Sequence, residues 1–296
     1  MHTEQSAHSF ELSPIVAGLW RIVDWNLSVA ERVRWIEQAL ELGITSFDHA
    51  DIYGSYHAES LFGEALKASP NLRQRMQLVT KCGIRLRTAE RDYRVNYYDT
   101  SAAYVRAQVE QSLRNLHTEQ LDLVLIHRPD YLMDAATLAE TFAALTREGK
   151  VAHWGVSNHS CTQFALLNHH HPLLTNQIEL SPLHMDALDD GTLDQAQQLG
   201  LRPMIWSPLA GGRLFTGEDE QAHRVRTEMS AIASRYGISL TTLAFAWVLR
   251  HPSRPHPITG TGRADGLREA IAALNVQLDA EDWYAIWTAS KGMSVP

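Results

Sequence analysis

Four polar side chains stand at or just beyond the ends of short apolar runs: Asp48, Tyr53, Lys81 and His127. Asp48 closes Ile44-Thr45-Ser46-Phe47, and Tyr53 follows in the turn DHADIYG. Lys81 closes Gln77-Leu78-Val79-Thr80, and His127 closes the run from Leu121 to Ile126. A free phenol, with a pKa of about 10, donates its proton reluctantly at neutral pH. A neighbouring ammonium lowers that pKa and stabilises the phenolate left behind. Lys81 is expected to do this for Tyr53, Asp48 to pair with Lys81 and hold it, and His127 to donate a hydrogen bond to a substrate oxygen. Such a set suits protonation of a carbonyl oxygen. Taken singly, each residue also fits an ordinary structural role: a packed tyrosine, a structural ion pair, a histidine on a rim. The ordered set carries the reading.

Residues spread from position 48 to position 127 meet only if the fold gathers strand ends on one face. The sequence alternates short β-branched runs with amphipathic stretches. Residues 29–42 put Val33, Ile36, Ala39 and Leu40 on one helical face, and Gly43 stops that helix before the strand 44–47. Helices near 58–67, 104–115 and 135–148 lead into strands 77–80, 121–126 and 151–156. Later strands are expected at 175–180, 203–206 and 257–259, giving close to eight strand–helix units. Such alternation implies parallel strands joined by helical crossovers. Several of the strands are apolar almost throughout, as strands buried on both faces should be. The fold class is therefore α/β, a closed parallel barrel whose strand C-termini converge on one face. A chain of 296 residues suits a single such domain over 1–296.

The bulk properties narrow the function. A net charge of −8 offers no basic footprint for nucleic acid. Cys82 and Cys161 lie far apart without CxxC spacing, which fits a reducing compartment. No apolar run reaches the roughly 20 residues needed to span a bilayer, so a cytoplasmic protein with no membrane partner is expected. Two stretches break the rhythm. Residues 83–100 carry Arg85, Arg87, Arg91, Arg94 and three tyrosines, and are expected to form a mobile loop at the barrel mouth that shapes substrate access. Residues 211–222 are Gly-rich and then acidic.

No GxGxxG follows a first strand, so a Rossmann-type nucleotide site is not indicated. A barrel holds phosphate at its last strand–helix loops. The candidate is Gly260-Thr261-Gly262-Arg263, between the strand 257–259 and a helix starting near Asp265. Glycines allow close backbone approach, a helix N-terminus favours an anion, and Arg263 adds charge. The same tetrapeptide also fits a plain turn. The triplet His169-His170-His171 lacks the spacing of a metal site, and no metal is expected.

The segments FDHADIYG, LVTKCG, LVLIHRPD, WGVSN, TNQIELSP and WSPLAGG, in that order, cover nearly the whole chain. In them the sequence resembles the aldo-keto reductase superfamily, and LIHRPD, NQIELSP and GGRLF look most like a bacterial branch of it. The resemblance implies a (β/α)8 TIM barrel capped below by an N-terminal β-hairpin. It implies NADPH-dependent reduction of aldehydes or ketones to alcohols, with Tyr53 as proton donor and Asp48, Lys81 and His127 beside it. Ser157, Asn158 and Gln177 match residues that grip the nicotinamide carboxamide. Trp206 matches the ring against the nicotinamide face. Ser207, Leu209, Gly211 and Gly212 lie in the segment that runs along the pyrophosphate. Gly266 stands where many relatives carry an Arg that contacts the adenosine 2′-phosphate, and Ala270 where many carry Asn. Arg263 and Arg268 are expected to supply the missing charge. Trp20 and Tyr131 are expected against the carbonyl substrate, while Trp25 and Tyr56 extend that wall or pack the rim. A non-catalytic, NADP(H)-bound regulatory or binding protein of the same fold is the alternative.

Overall fold

The structure, a computed structural model, describes residues 10–296. Its strands are β1 (Val16–Gly18), β2 (Ser46–Asp48), β3 (Gln77–Cys82), β4 (Ile84–Arg85), β5 (Tyr97–Tyr98), β6 (Leu121–Ile126), β7 (Val151–Ser157), β8 (Asn176–Glu179), β9 (Met204–Trp206) and β10 (His256–Thr259). All except β4 and β5 run parallel in one closed barrel, ordered β1-β10-β9-β8-β7-β6-β3-β2. The α-helices are α1 (Val29–Glu41), α2 (Ala58–Ala68), α3 (Ala102–Asn115), α4 (Ala135–Arg147), α5 (Cys161–His170), α6 (Thr192–Leu199), α7 (Arg213–Thr216), α8 (Glu220–Tyr236), α9 (Leu240–Leu249), α10 (Ala264–Ala272) and α11 (Ala280–Lys291). This is the expected (β/α)8 barrel. No single described helix is long and apolar enough to cross a membrane.

Local chemistry sets the element ends. Ser28 and Glu31 form a reciprocal capping box at the start of α1, and Ser160 and Gln163 do the same for α5. Each satisfies amides that the first helical turn leaves without partners. Gly43, at φ +81°, turns the chain from α1 toward β2 in a left-handed conformation that favours glycine. Side chains alternate across each strand. Val16, Val79, Leu123, Leu125, Met204 and Ile258 point inward and fill the barrel, with Leu12 beneath them. Their outward neighbours Ala17, Leu78, Val124 and Ile126 pack under the helices. The same alternation brings Lys81 inward one step above Val79, and His127 one step above Leu125. The apolar plug is thus the floor on which the polar residues stand.

The structure departs from the sequence reading at several points. β1 was not anticipated, because three residues are too few to show alternation. The expected N-terminal hairpin falls in part on residues 1–9, which lie outside the described residues, and residues 10–15 contain no strand. His169 and His170 end α5, and His171 caps it. Residues 83–100 are pinned at their base instead of being free along their length. β4 and β5 pair antiparallel, with Ile84 opposite Tyr98 and Arg85 opposite Tyr97. Arg85 donates to Asp99 (2.8 Å) and Tyr93 (3.1 Å) and lies 4.1 Å from the centre of the Tyr104 ring. Arg91 stacks 3.7 Å from the centre of Tyr56. Arg85 and Arg91 are thus spent on holding the segment.

α2 and α3 cross at Gly63. A Cβ there would lie 1.8 Å from the Asn115 carbonyl oxygen and 3.1 Å from the Leu116 Cα. Helix propensity alone favours Ala over Gly by about 1 kcal/mol. Overpacking against backbone costs about 1–3 kcal/mol and here opposes it. Gly63→Ala is therefore expected to lower stability, measured by urea denaturation. An unchanged or raised midpoint would show that the two helices are not held at this distance.

Candidate active site

The turn after β2 is pinned to β3 by backbone bonds. The His49 N–H donates to the Val79 carbonyl at 2.8 Å, and the Asp51 N–H to the Lys81 carbonyl at 3.0 Å. This turn carries Tyr53 back over the end of β3. Lys81, fully buried, then becomes the centre of the site. Its ammonium donates to both Asp48 carboxylate oxygens (2.8 and 2.7 Å), to the His49 carbonyl (2.8 Å) and to the Tyr53 hydroxyl (3.1 Å). Because the Tyr53 oxygen accepts from Lys81, its own O–H is left to point elsewhere. The His127 ring meets the Tyr53 ring edge-on at 5.8 Å between centroids. The Gln177 amide donates to Asp48 Oδ1 at 2.9 Å.

Burial decides the protonation states. It pushes the Tyr53 pKa up, and Lys81 pulls it down without cancelling the effect. Lys81 lowers it as expected, but removal from water outweighs the ammonium and leaves the phenol above its ordinary value. Burial also depresses Lys81, but Asp48 and Tyr53 outweigh that and hold it above the usual lysine value, charged. Burial, then Lys81 and Arg128, drive His127 well below the ordinary histidine range. It is a neutral imidazole whose Nδ1 is buried with no partner among the described residues. A neutral Tyr53, a neutral His127 and a charged Lys81 together form a proton donor backed by a fixed cation.

Behind the barrel wall lie two carboxyls to which the sequence reading gave no role. Asp51 and Glu59 are both buried, and burial raises the pKa of each, with Glu59 adding to the shift of Asp51. Glu59 accepts from Thr80 (2.6 Å) and Asn115 (3.0 Å) and so fixes the outer side of β3. Cys82 also faces this outer side, as strand alternation predicts.

The residues matched to a nicotinamide site form one hydrogen-bonded chain. Trp206 Nε1 donates to Asn158 Oδ1 (3.0 Å), Asn158 Nδ2 to Ser157 Oγ (2.7 Å), and Ser157 Oγ to the Gln177 carbonyl (2.9 Å). Asn158 sits at φ +58°, and past β9 so do Ser207 (+53°), Ala210 (+52°), Gly211 (+66°) and Gly212 (+103°). Non-glycine residues in this region carry strain, which clusters at functional sites. The half-buried Leu209 anchors the segment on the cores beneath the helices, and Arg21 ties it across the mouth by donating to the Gly211 carbonyl at 3.0 Å.

The glycine-rich segments leave open backbone. A Cβ at Gly211, Gly212 or Gly260 would meet nothing within 4 Å among the described residues. No side chain among the described residues caps α10, which leaves its first amides open to an anion. Thr261 Oγ1 accepts from the Arg263 N–H at 3.1 Å, and Gly262 packs on the Trp25 ring, 2.7 Å from where its Cβ would stand. Gly266 now has a local cause: a Cβ there would meet the Thr261 side chain at 2.7 Å. Arg263 is exposed and makes no ion pair among the described residues, whereas Arg268 is paired with Asp265 at 2.6 Å. Trp20 stands 57% exposed after β1, and Tyr131 86% exposed beyond β6, outside the catalytic cluster. Trp25 packs on Trp35, which assigns it to the rim. Sequence reasoning passed over Arg128 and Glu179, although LIHRPD and NQIELSP were read for other residues.

The model of the aldo/keto reductase family matches residues 14–291. The chain belongs to the aldo/keto reductase family. It is 48% identical over 289 residues to the oxidoreductase YdhF of Escherichia coli, covering 97% of this chain and 96% of that one. It is 42% identical over 289 residues to a 6-dehydroglucose reductase of Agrobacterium fabrum, covering 96% of each. The solved structure of the glycerol dehydrogenase AKR11B4 from Gluconobacter oxydans is similar to it with a TM-score of 0.83 and 25% identity, over 95% of this chain and 92% of that one. This is an oxidoreductase family, and the polar cluster lies on the barrel face where such enzymes work.

The buried His49 gives a pH prediction. Both its ring nitrogens lack partners among the described residues, it packs edge-on against Phe62, and burial lowers its pKa to about 3. The unfolded chain binds this proton near pH 6.5, so the stability contribution is full above that pH and falls as pH drops toward 3. At pH 5 the loss from this one group is about 2 kcal/mol. His49→Leu should flatten the fall in Tm between pH 7.5 and pH 5, measured by calorimetry at several pH values. An unchanged slope would assign the acid sensitivity to other groups.

Proposed function

We propose that the protein reduces the carbonyl of an aldehyde or ketone to an alcohol with NADPH. The observation that carries this is the 3.1 Å bond from Lys81 to the Tyr53 hydroxyl, which frees the tyrosine proton beside a neutral histidine. When bound, the nicotinamide supplies the hydride. The chain's own residues do the rest. Tyr53 gives its proton to the carbonyl oxygen. Lys81 stabilises the phenolate that remains, and Asp48 keeps Lys81 in place and charged. His127 donates a hydrogen bond that orients the carbonyl. Ser157, Asn158, Gln177 and Trp206 would hold the nicotinamide end. Ser207, Leu209, Gly211 and Gly212 would line the pyrophosphate. Gly260, Thr261, Gly262 and Arg263 would hold the 2′-phosphate end at the uncapped start of α10. Arg268 is the lesser candidate for that phosphate, since Asp265 already neutralises it. The two relatives named above as oxidoreductase and reductase support the reading.

Loss of a positioned general acid costs about 10²–10⁴-fold in rate. Tyr53→Phe should therefore lose nearly all aldehyde reduction while its NADPH titration, followed by cofactor fluorescence, stays close to that of the parent. Near-parental turnover would remove Tyr53 from the proton-donor role. The nucleotide preference is tested separately. A charge-assisted contact is worth about 1.5–3 kcal/mol. Arg263→Ala should weaken NADPH binding by roughly that amount with little change for NADH, so the ratio of the two Kd values narrows. A constant ratio would point to Arg268 or another group as the phosphate contact.

A further inference from the structure

The turn that carries Tyr53 is held in a conformation its residues do not favour. Gly54, Ser55 and Tyr56 follow one another at φ +56°, +53° and +72°. A bulky aromatic residue in the left-handed region is an outlier, and such backbone persists only where its surroundings fix it. Two neighbours do so here. On one side Gly54 packs on Val23, whose side chain lies 2.4 Å from where a Cβ would stand. On the other side the half-buried Tyr56 clips the segment that follows β3. Its phenol oxygen accepts the Leu86 N–H at 2.9 Å, and its O–H donates to the Leu86 carbonyl at 3.5 Å. Arg91 covers the ring, 3.7 Å from its centre. What the clip holds reaches Tyr53 within one turn of backbone, because the Tyr53 carbonyl accepts from the His57 N–H (3.2 Å) and the Ala58 N–H (3.1 Å).

The far end of the same segment is tied to the loop that carries His127. The Asp99 N–H donates to the Gly83 carbonyl at 3.0 Å, and the His127 N–H to the Cys82 carbonyl at 2.8 Å. Asp130, just beyond His127, accepts from the Thr100 N–H (3.1 Å) and hydroxyl (2.7 Å) with one oxygen, and from the Leu132 N–H (2.9 Å) with the other. Between the two ties, β4 pairs with β5 and Arg85 locks them through Asp99. A bonded path thus runs from the Tyr53 turn through Tyr56, the paired base of the segment and Asp130 to His127. The barrel strands pair with one another without it. Lys81 holds the Tyr53 oxygen at 3.1 Å, whereas the direction of the ring is set by the backbone that carries it. We propose that Tyr56 is a positioning residue for the proton transfer. By clipping Leu86 and seating Arg91, it braces the Tyr53 turn against the His127 loop and fixes the gap into which the carbonyl oxygen must fit.

This rests on the carbonyl-reduction reading, and the test separates the two. Tyr56→Phe keeps the ring under Arg91 and loses both bonds to Leu86. Arg91→Ala keeps those bonds and loses the cover. Turnover is measured with propanal, glyceraldehyde and 4-nitrobenzaldehyde, in water and in heavy water. A misplacement of about 1 Å costs up to about 10²-fold in rate, so Tyr56→Phe should lower kcat by about 10–100-fold while KM and the NADPH Kd stay within about twofold. The solvent isotope effect on kcat should rise, because transfer from a misaligned donor becomes the slow step. Arg91→Ala should lower kcat by a smaller factor. The double variant should lose less than the product of the two, since both act through one clip. Amide hydrogen exchange should quicken over residues 53–58 in Tyr56→Phe and stay parental in the barrel strands. Should Tyr56→Phe fail to fold, kcat and the isotope effect of Arg91→Ala decide. Parental kcat and isotope effect in the variants, or a change confined to KM or to Tm, would overturn the inference and leave carbonyl reduction standing. A parent inert toward all three aldehydes with both NADPH and NADH would instead bring down the carbonyl-reduction reading itself.

Discussion

A primary ammonium with no water around it needs every proton satisfied, and Lys81 obtains this from Asp48, the His49 carbonyl and Tyr53. Much else in the barrel follows from meeting that need. Asp48 must end β2 beside β3, so the register Asp48 opposite Val79 is fixed. The chain must double back to present the His49 carbonyl and then Tyr53, so the turn is tied down at its 49 and 51 amides. The apolar floor of Val79, Leu123 and Leu125 keeps water from reaching the ammonium from below. A buried ion pair of this kind contributes little net stability, because desolvation offsets its Coulomb energy. Breaking it by removing one partner costs about 3–5 kcal/mol, because the other charge is stranded. Its value is geometric.

The same low-dielectric setting explains the neutral groups around it. His49, His127, Asp51 and Glu59 all have their pKa values moved by burial toward the uncharged form. The charges that act on Tyr53 are those of Lys81, Asp48 and Arg128. Gln177 links this cluster to the Trp206–Asn158–Ser157 chain, so one amide side chain touches the machinery for the proton while its backbone carbonyl anchors the residues matched to the nicotinamide.

Sequence periodicity was most legible where strands are long and buried on both faces. The run Leu121–Ile126 reads directly as the β6 of the structure, and α3 and α4 differ from expectation by one or two residues at their ends. Asp48, Lys81 and His127 were legible because strand ends in a parallel barrel converge. β1 was not, since three residues carry no period. The effect of Lys81 on Tyr53 was legible but the larger effect of burial was not, because a sequence lists charges but not the depth at which they lie. Gly266 looked like a lost phosphate contact, and its cause became plain only when Thr261 was seen against it. Arg85 and Arg91 looked available, yet Tyr104 and Tyr56 occupy them.

Barrel closure has a consequence for how the chain is made. Val16 on β1 pairs with Ile258 on β10, near the two ends of the chain. Ribosomes add roughly 5–20 residues per second. The first strand therefore waits on the order of ten seconds or longer with one hydrogen-bonding edge open before its last neighbour emerges. An open edge of this kind is a template for pairing with the wrong chain. With Val16–Gly18 only three residues long, the unsatisfied edge is short, and a nascent chain offers little for another copy to grip. The feature that hid β1 from periodicity thus also limits aggregation during synthesis.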